Sequence, residues 1–439
     1  MTALDAVAAV LVVVAFAAAA VLVRPAVRRT DLLPWHPAIA WLALMALFFG
    51  IGSAMLALDG HAGPALYVTG ATFVFGLAVA GSDRVARHRA DAPIDRAVPV
   101  GTARPAVSAD PADLVDDAPL RPTIVVGLAL VGLILIAPTL LRVGLPFLAG
   151  DITGARSALT GLPLQVLRVA VPALALAIVL GPRSAAGSEA SLRRRRLGWL
   201  AVGILIAMEI ILASRYLAAE LAAIALVGIG LAGWRLHPRR LAALAIVAVL
   251  AFGGIQILRA YDQAAGRELA FALERTVNRV VLIQPRTLDA LQVAIPAEQP
   301  YFGGLTWVRR LGPVLGRPDI PNLGYWVYPR MFPGQEPPGY AAPGIIGEAW
   351  ANFGPAGLAL FALLGVAAER LGAFVARRRS STGDLVAGAL LIVFLARTHA
   401  LGVNGLAVLV VIVVAWRILA AGGLAGSWRA VRDVVAWRA

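Results

Sequence analysis

The chain has 439 residues, of which 60% are hydrophobic and only 15% are charged, and its mean hydropathy is +0.81. This composition excludes a soluble enzyme of the same length and predicts a protein that lies mainly in lipid. A net charge of +14 could indicate nucleic-acid binding, but the basic residues form short runs beside apolar segments, as membrane topology requires. We therefore expect no nucleic-acid partner.

Missing residue types limit the chemistry further. The chain has no cysteine, which excludes disulfides, thiol nucleophiles and thiolate-bound metals. Every basic residue is arginine, so there is no Schiff-base lysine and no lysine for a Walker-type phosphate loop. The five histidines are scattered, with no spacing typical of metal ligands. We expect neither a metal nor another cofactor.

Apolar runs predict transmembrane helices along the chain, because about 20 apolar residues cross a bilayer. The first run has no basic segment before it and no small-residue cleavage site, which predicts a retained span. The predicted fold is an all-α polytopic membrane protein with about 11 transmembrane helices. The predicted spans are 4–23, 37–58, 64–81, 122–142, 163–181, 197–213, 216–234, 240–258, 344–371, 383–398 and 401–421.

Arginine clusters follow every second predicted span, for example Arg28 and Arg29 after the first and Arg193 to Arg196 after the fifth. Short cytoplasmic loops accumulate arginine, whereas translocated loops avoid it. The pattern predicts a multi-pass plasma membrane protein with its N-terminus outside and its C-terminus in the cytoplasm.

Loop composition divides the chain into three regions. Residues 1–258 hold spans one to eight and include 82–121, whose Pro, Ala, Asp and Arg content predicts a disordered cytoplasmic linker. Residues 259–343 form one large extracytoplasmic loop. Residues 344–439 hold the last three spans and a cytoplasmic tail.

The large loop is expected to fold. Apolar spacing across 261–283 predicts a short interfacial helix. From Gln284 onward, the density of Pro and Gly predicts a compact, irregular lid over the helical bundle. Long loops of this kind usually carry function.

Arginines near the predicted outer surface are the first candidate site residues. Arg215 lies in a very short turn between two spans, against the usual charge bias, although it could be a simple interfacial arginine. Loop arginines could bind phosphate oxygens in pairs, or form ordinary ion pairs with nearby Asp and Glu. The loop arginines are Arg259, Arg267, Arg275, Arg279, Arg286, Arg309, Arg310, Arg317 and Arg330.

The start of span nine and the end of span ten supply further candidates. Glu348 and Asn352 are four residues apart and so share one helix face. A carboxylate inside an apolar span is costly unless it faces a partner or a wet cavity, although a helix start also favours a carboxylate. His399, in a predicted outer turn, is a candidate general base or phosphate contact, with a structural histidine as the alternative.

Together, these motifs resemble the Wzy-type O-antigen and oligosaccharide repeat-unit polymerases. The matching segments are Ala213-Ser214-Arg215, then Tyr301 to Trp307, then Ile320-Pro321, then Gly347-Glu348 through Asn352-Phe353-Gly354. The chain departs from the family pattern at Trp307, where Tyr is usual, and at Gly303-Gly304, where one Gly is usual. The resemblance covers the second half of the chain, from the sixth predicted span onward.

This resemblance implies an enzyme that transfers glycan from undecaprenyl pyrophosphate onto the next lipid-linked repeat unit at the outer face of the plasma membrane. The implied partners are the lipid-linked oligosaccharide, the bilayer, a flippase and a chain-length regulator; no metal is implied. Glu348 and Arg215 would be catalytic, as base and leaving-group cation respectively. The implied substrate-binding residues are Arg309, Arg310, Arg259, Arg330, Asn352, Thr306, Tyr301 and His399.

Two other functions remain open at this level. A glycan ligase that transfers finished glycan to another acceptor would share the loop and the arginines, and would depend more on His399. A transporter or flippase for the same lipid-linked sugars would show internal repeats and charges in mid-membrane. No repeat is evident, and the main mid-span charges are Glu209, Glu220 and Glu369.

Overall fold

The computed structural model describes residues 2–91, 215–232, 266–311, 319–334, 339–378 and 382–402, with a few single residues between 134 and 142 and between 196 and 203. Every regular element in these ranges is helical. The chain divides into two compact units. The first contains 1–92, 237–376 and 394–408; the second contains 93–236, 377–393 and 409–439.

The α-helices are named in chain order. They are α1 (Ala3–Thr30), α2 (Pro37–Met45), α3 (Ile51–Leu58), α4 (Ala62–Asp91), α5 (Arg215–Leu231), α6 (Glu268–Val277), α7 (Ile283–Ala294), α8 (Leu323–Met331), α9 (Gly344–Phe353), α10 (Leu358–Arg378) and α11 (Thr382–Leu401). One turn of π-helix, Ala46–Gly50, joins α2 to α3, and another, Asn278–Leu282, joins α6 to α7. Short 3-10 segments lie at Leu305–Leu311 and Gly354–Gly357.

Four helical stretches in the described part of the chain are long and apolar enough to cross a membrane. They are Ala3–Thr30, Pro37–Leu58, Ala62–His88 and Gly344–Arg377. The protein is therefore an all-α membrane protein in class. The predicted spans 122–142, 163–181, 197–213, 240–258 and 401–421 lie largely or wholly outside the described residues.

Close packing between α1, α2 and α4 builds the core of the first unit. Small residues let the backbones approach: a Cβ added at Gly76 of α4 would lie 3.0 Å from the Cβ of Ala19 in α1. At the centre, Trp41 stacks on Phe75 with ring centroids 4.0 Å apart. Both rings are fully buried, so this pair anchors the bundle.

The predicted span 344–371 is not one straight helix. A Cβ on Gly357 would lie 2.5 Å from the carbonyl oxygen of Ala349, eight residues earlier. In a straight helix these positions are about 12 Å apart. Gly354 has φ +58 and ψ −135, which only glycine adopts readily, so the chain turns sharply between α9 and α10.

The predicted irregular lid is wrong for its first part. Residues 283–294 form α7, and its Leu288 and Leu291 are fully buried. The preceding π-turn packs on α3 so closely that a Cβ at Gly52 would overlap the carbonyl oxygen of Val281. Apolar residues spaced along one face draw this helix into the bundle despite Pro285, which lies in the first turn of α7 after the π-helical turn.

Helix α4 also corrects the predicted linker. It continues to Asp91, so the first residues of the segment 82–121 are helical. Ser82 and Asp83 are buried there. The Ser82 hydroxyl donates to Glu369 of α10, and Asp83 pairs with Arg29 of α1 and with Arg87 of α4 itself. The rest of the predicted linker lies outside the described residues.

Candidate functional site

The Glu348–Asn352 face of α9 forms the centre of the candidate site. Glu348 is 8% exposed and Asn352 is 1% exposed. The side-chain amide of Asn352 donates to the backbone carbonyl of Glu348 at 2.8 Å, which is the contact expected for residues four apart on a helix. The shared face predicted from the spacing is confirmed.

Asn352 also binds the start of the 3-10 helix Leu305–Leu311 and the residue that precedes it. Its Oδ1 accepts the backbone N–H of Gly304 at 2.9 Å, and its Nδ2 donates to the hydroxyl of Thr306 at 2.6 Å. We call these contacts, with the one to the Glu348 carbonyl, the Asn352 clamp. The clamp uses both amide hydrogens and the amide oxygen, so it joins two segments nearly fifty residues apart in sequence.

The same segment satisfies the last carbonyl groups of α9. The N–H of Phe302 donates to the carbonyl of Ala351 at 3.1 Å, and the N–H of Gly303 donates to that of Asn352 at 2.9 Å. Helix ends leave such carbonyls without partners within the helix. Positive φ values at Gly303 (60°) and Gly304 (90°) allow the chain to turn across this end, so both glycines serve the junction.

The clamp involves two residues that were predicted to bind substrate. Asn352 was expected to hold sugar hydroxyls, and Thr306 to contact the substrate. Both are buried, and their hydrogen-bonding groups are bound to the protein itself. They are therefore positioning residues, which the sequence could not indicate because the contacts are long-range.

Glu348 projects from α9 toward the end of α11. A Cβ on Gly402, the residue after α11, would overlap its carboxylate. Gly402 has φ +64, which also favours glycine. The Glu348 charge also acts on Tyr340, a half-exposed residue: desolvation of its buried part first, and then that charge, raise the pKa of the Tyr340 phenol. Tyr340 therefore stays protonated over the physiological range and can donate a hydrogen bond.

Three of the other predicted ligands have described side chains in or near the loop. Tyr301 is 38% exposed, packs edge-on to Trp350 with centroids 6.3 Å apart, and lies against Gly354. Arg309 is exposed, and its charge reaches Tyr340, where it opposes the rise in pKa. Arg330 bonds Glu298 at 2.9 and 3.1 Å and the carbonyl of Trp326 at 2.8 Å. Of the three, Arg309 best keeps the role of a phosphate ligand.

The remaining predicted arginines are described less fully. Arg310 lies in the same 3-10 helix as Arg309, with its backbone alone described. Arg215 is the first residue of α5, which belongs to the second compact unit, and its side chain is not described. Arg259 lies outside the described residues.

His399 does not lie in an outer turn. It belongs to the last turn of α11 and is 1% exposed. Its Nε2 is 2.9 Å from the carbonyl oxygen of Trp41, and its ring lies 4.7 Å from that indole. The helix continues to Leu401, beyond the predicted end at residue 398. The His399 imidazole is therefore part of a helix that packs in the bundle, and it faces the interior of the protein.

Two helix ends meet inside the first unit. A Cβ at Gly344, where α9 begins, would overlap the backbone carbonyl of His399 near the end of α11. Gly344 also lies against Phe49, in the middle of the Pro37–Leu58 stretch. Helix ends inside a membrane bundle are tolerated only within protein or beside a polar cavity. Glu348 lies at this junction.

Sequence reasoning missed residues in two places. Tyr325 and Tyr340 carry no motif, although both are aromatic residues in a loop assigned to function. In the last turn of α1, Arg29 pairs with Asp83 and with Glu369, and Ser82 donates to Glu369 at 2.7 Å. We call these four residues the Arg29 cluster. The arginine was assigned to topology alone because its partners lie on distant helices.

Among the described residues, no group of three His, Asp or Glu side chains is arranged to hold a metal ion. Comparison with protein-family models, curated proteins and solved structures finds no match to the chain.

Proposed function

We propose that the protein is a membrane glycosyltransferase that polymerises undecaprenyl-pyrophosphate-linked oligosaccharide repeat units into surface polysaccharide. The proposal starts from the resemblance to Wzy-type polymerases. The observation that supports it is the Asn352 clamp. Two of the sequence segments on which the resemblance rests, Tyr301 to Trp307 and Gly347 to Gly354, bind each other through backbone and side-chain hydrogen bonds.

The proposed reaction is the attack of a sugar hydroxyl of the incoming repeat unit on the anomeric carbon of the polymer, with undecaprenyl pyrophosphate leaving. Glu348 is the proposed base or acceptor-orienting residue, because α9 holds this carboxylate beside Tyr340 and Gly402. Arg309 is exposed, its charge acts on Tyr340, and it is the proposed ligand of the leaving pyrophosphate together with Arg310. For Arg215, the role of leaving-group cation is proposed from the family resemblance alone.

The proposal includes the full topology predicted from the sequence. About eleven spans would cross the plasma membrane, with the N-terminus outside and the C-terminus in the cytoplasm. Residues 259–343 would then lie on the outer side, with part of the region packed into the bundle as α7. A flippase would supply the lipid-linked unit, and a chain-length regulator would limit the product.

Gel profiling of surface glycan tests this function. A deletion strain would be complemented with the wild-type chain, Glu348→Gln or Arg309→Ala, with each variant quantified in the membrane fraction. We expect the deletion strain to lose the glycan ladder and show single repeat units. Glu348→Gln should lose the ladder, and Arg309→Ala should shorten it. Phe73→Leu, on the exposed face of α4, is the matched control and should keep the ladder.

An intact ladder in the deletion strain would contradict the polymerase. Full-length glycan that stays on the lipid carrier would instead favour the ligase. An intact ladder with Glu348→Gln at normal abundance would remove the base from the mechanism.

A transporter or flippase of lipid-linked oligosaccharide is the second candidate. The observation that favours it is the meeting of α9 and α11 ends inside the bundle beside Glu348, because transporters often bind substrates at broken helices. Proteoliposomes that contain the purified protein and fluorescent lipid-linked repeat units separate the two functions. Movement of the lipid between leaflets without new glycosidic bonds supports transport, and chain growth without movement supports the polymerase.

A further inference from the structure

Two exposed tyrosines lie beside the proposed site. Tyr325 on α8 is 53% exposed and Tyr340 is 52% exposed. Their ring centroids are 5.2 Å apart and their planes meet at 68°. This edge-to-face arrangement stabilises both rings and leaves aromatic surface open to solvent.

The backbone holds Tyr340 in a defined position. A Cβ on Gly324 would overlap the Tyr340 ring, so the ring lies directly on the backbone of α8. The N–H of Ala341 donates to the carbonyl of Gly324 at 3.1 Å and fixes the adjacent chain. Ala341 itself is fully buried. The tyrosine is therefore a rigid surface and not a free side chain.

Charged groups of both signs lie near this surface. The Glu348 carboxylate and the Arg309 guanidinium both influence Tyr340 electrostatically, and they act in opposite directions. Tyr340 is thus influenced by the charges of both the proposed base and a proposed pyrophosphate ligand. A sugar bonded to pyrophosphate requires this combination: a flat aromatic surface for its C–H face, donors and acceptors for its hydroxyls, and a cation for the phosphate.

We propose that Tyr325 and Tyr340 bind the donor sugar nearest the pyrophosphate of the lipid-linked glycan. The sugar ring packs on the Tyr340 face, with Tyr325 along its edge. Its phosphate is directed to Arg309 and its anomeric carbon toward the Glu348 side. This inference rests on the proposed polymerase function and adds the location of its donor sugar.

The test uses full-length protein in lipid nanodiscs and lipid-linked repeat units extracted from the deletion strain. Chain growth is followed at varied concentrations of the lipid-linked repeat units, for the wild type, Tyr340→Leu, Tyr340→Phe and Tyr325→Leu. Loss of a ring contact should raise KM about two- to tenfold in Tyr340→Leu and less in Tyr325→Leu. Tyr340→Phe keeps the ring and should recover most of this loss. Phe73→Leu removes a similarly exposed ring from α4 and should leave KM unchanged.

Other outcomes separate the explanations. A normal KM in Tyr340→Leu with lower thermal stability or membrane abundance would overturn the inference and identify the tyrosines as interfacial anchors. An equal rise in KM for Tyr340→Phe and Tyr340→Leu would exclude ring packing. If the deletion strain makes normal polymer and accumulates no repeat units, the polymerase function itself fails, which is distinct from a failure of the tyrosine site.

Discussion

The Arg29 cluster and the Asn352 clamp are two buried polar groups built for different ends. In the cluster, charges pair with charges: Asp83 and Glu369 are each 1% exposed and share Arg29, while Arg87 adds a contact to Asp83 at 2.6 Å. In the clamp, a neutral amide joins backbone and hydroxyl groups, including the backbone carbonyl of Glu348.

The difference separates stability from proposed function. A buried charge cluster leaves little capacity for a substrate, and loss of one partner strands the others in a medium of low dielectric. A saturated neutral clamp instead fixes the backbone of α9, which carries the buried Glu348 carboxylate. Four variants, taken from the largest expected effect to the smallest, break or sharpen this comparison.

Arg29→Met should have the largest effect on stability. It removes the cation that Asp83 and Glu369 share, although Asp83 keeps Arg87, and Glu369 keeps Ser82 and Arg370. The loss should be about 3 kcal/mol, the low end for a broken buried pair, because these partners remain and the Arg29 side chain is one-third exposed. The free energy of unfolding in micelles titrated with dodecyl sulfate measures this loss.

Arg28→Met, at the exposed neighbouring position, is the control and should change stability by less than about 0.5 kcal/mol. Adding Glu369→Gln to Arg29→Met should recover part of the lost stability, because it neutralises a buried carboxylate that no longer has its arginine partner. Equal free energies of unfolding for the two arginine variants would mean that the Arg29 cluster does not stabilise the fold.

Asn352→Asp should come second. It keeps the side-chain shape and the acceptor for the Gly304 N–H, but it removes the two hydrogen bonds that the Asn352 amide donates. It also places a negative charge against the Glu348 carbonyl. We expect a loss of about 2 kcal/mol, measured in the same unfolding assay. Thr306→Val, which removes a single partner, should cost about 1 kcal/mol. A stable Asn352→Asp protein with normal chain growth would contradict the clamp.

Gly402→Ala should affect activity more than stability. The added methyl group overlaps the Glu348 carboxylate, so the carboxylate must move, and chain growth should fall at least about tenfold for a misplacement near 1 Å. The matched control is Gly60→Ala, which also has positive φ but has open space around its Cβ. Both should lose about 1 kcal/mol of stability. Equal activity of the two variants would remove Glu348 from the reaction.

Asp289→Asn should have the smallest effect, visible in the pH dependence of stability. His61 Nδ1 lies 3.0 Å from the Asp289 carboxylate, yet burial outweighs this contact and raises the pKa of Asp289 above its ordinary 3.8. A carboxyl group with a raised pKa in the folded state contributes stability at low pH, and that contribution is lost as pH rises through the folded pKa.

The thermal midpoint of wild type and Asp289→Asn, measured from pH 4 upward, should therefore diverge in slope. The thermal midpoint of the wild type should fall as pH rises just above 3.8, the ordinary pKa of Asp289, whereas the midpoint of the Asn variant should change less over this range. A steeper fall in the variant would show that the His61 contact, and not burial, governs the carboxyl group.

Local patterns were sufficient for part of this structure. Apolar runs located the α2 to α3 stretch and the starts of α1, α4 and α9 within a few residues, because hydropathy and helix periodicity are properties of neighbouring positions. They placed the ends of α1 and α4 too early. The spacing of Glu348 and Asn352 likewise gave their shared face. The same reasoning failed at Gln284 to Ala294, where burial of one apolar face outweighs proline content.

The sequence by itself determined that this is an α-helical membrane protein, where several of its helices begin, and that Glu348 is a costly carboxylate in an apolar helix. Only the tertiary structure decided which partner each buried polar group has. Arg29 pairs with Glu369, which is 340 residues later in the sequence, and Asn352 forms hydrogen bonds with Gly304 and Thr306. His399 is buried against Trp41. The reason is physical: burial and pairing depend on contacts between distant segments, whereas hydropathy and helix spacing need only neighbours in sequence.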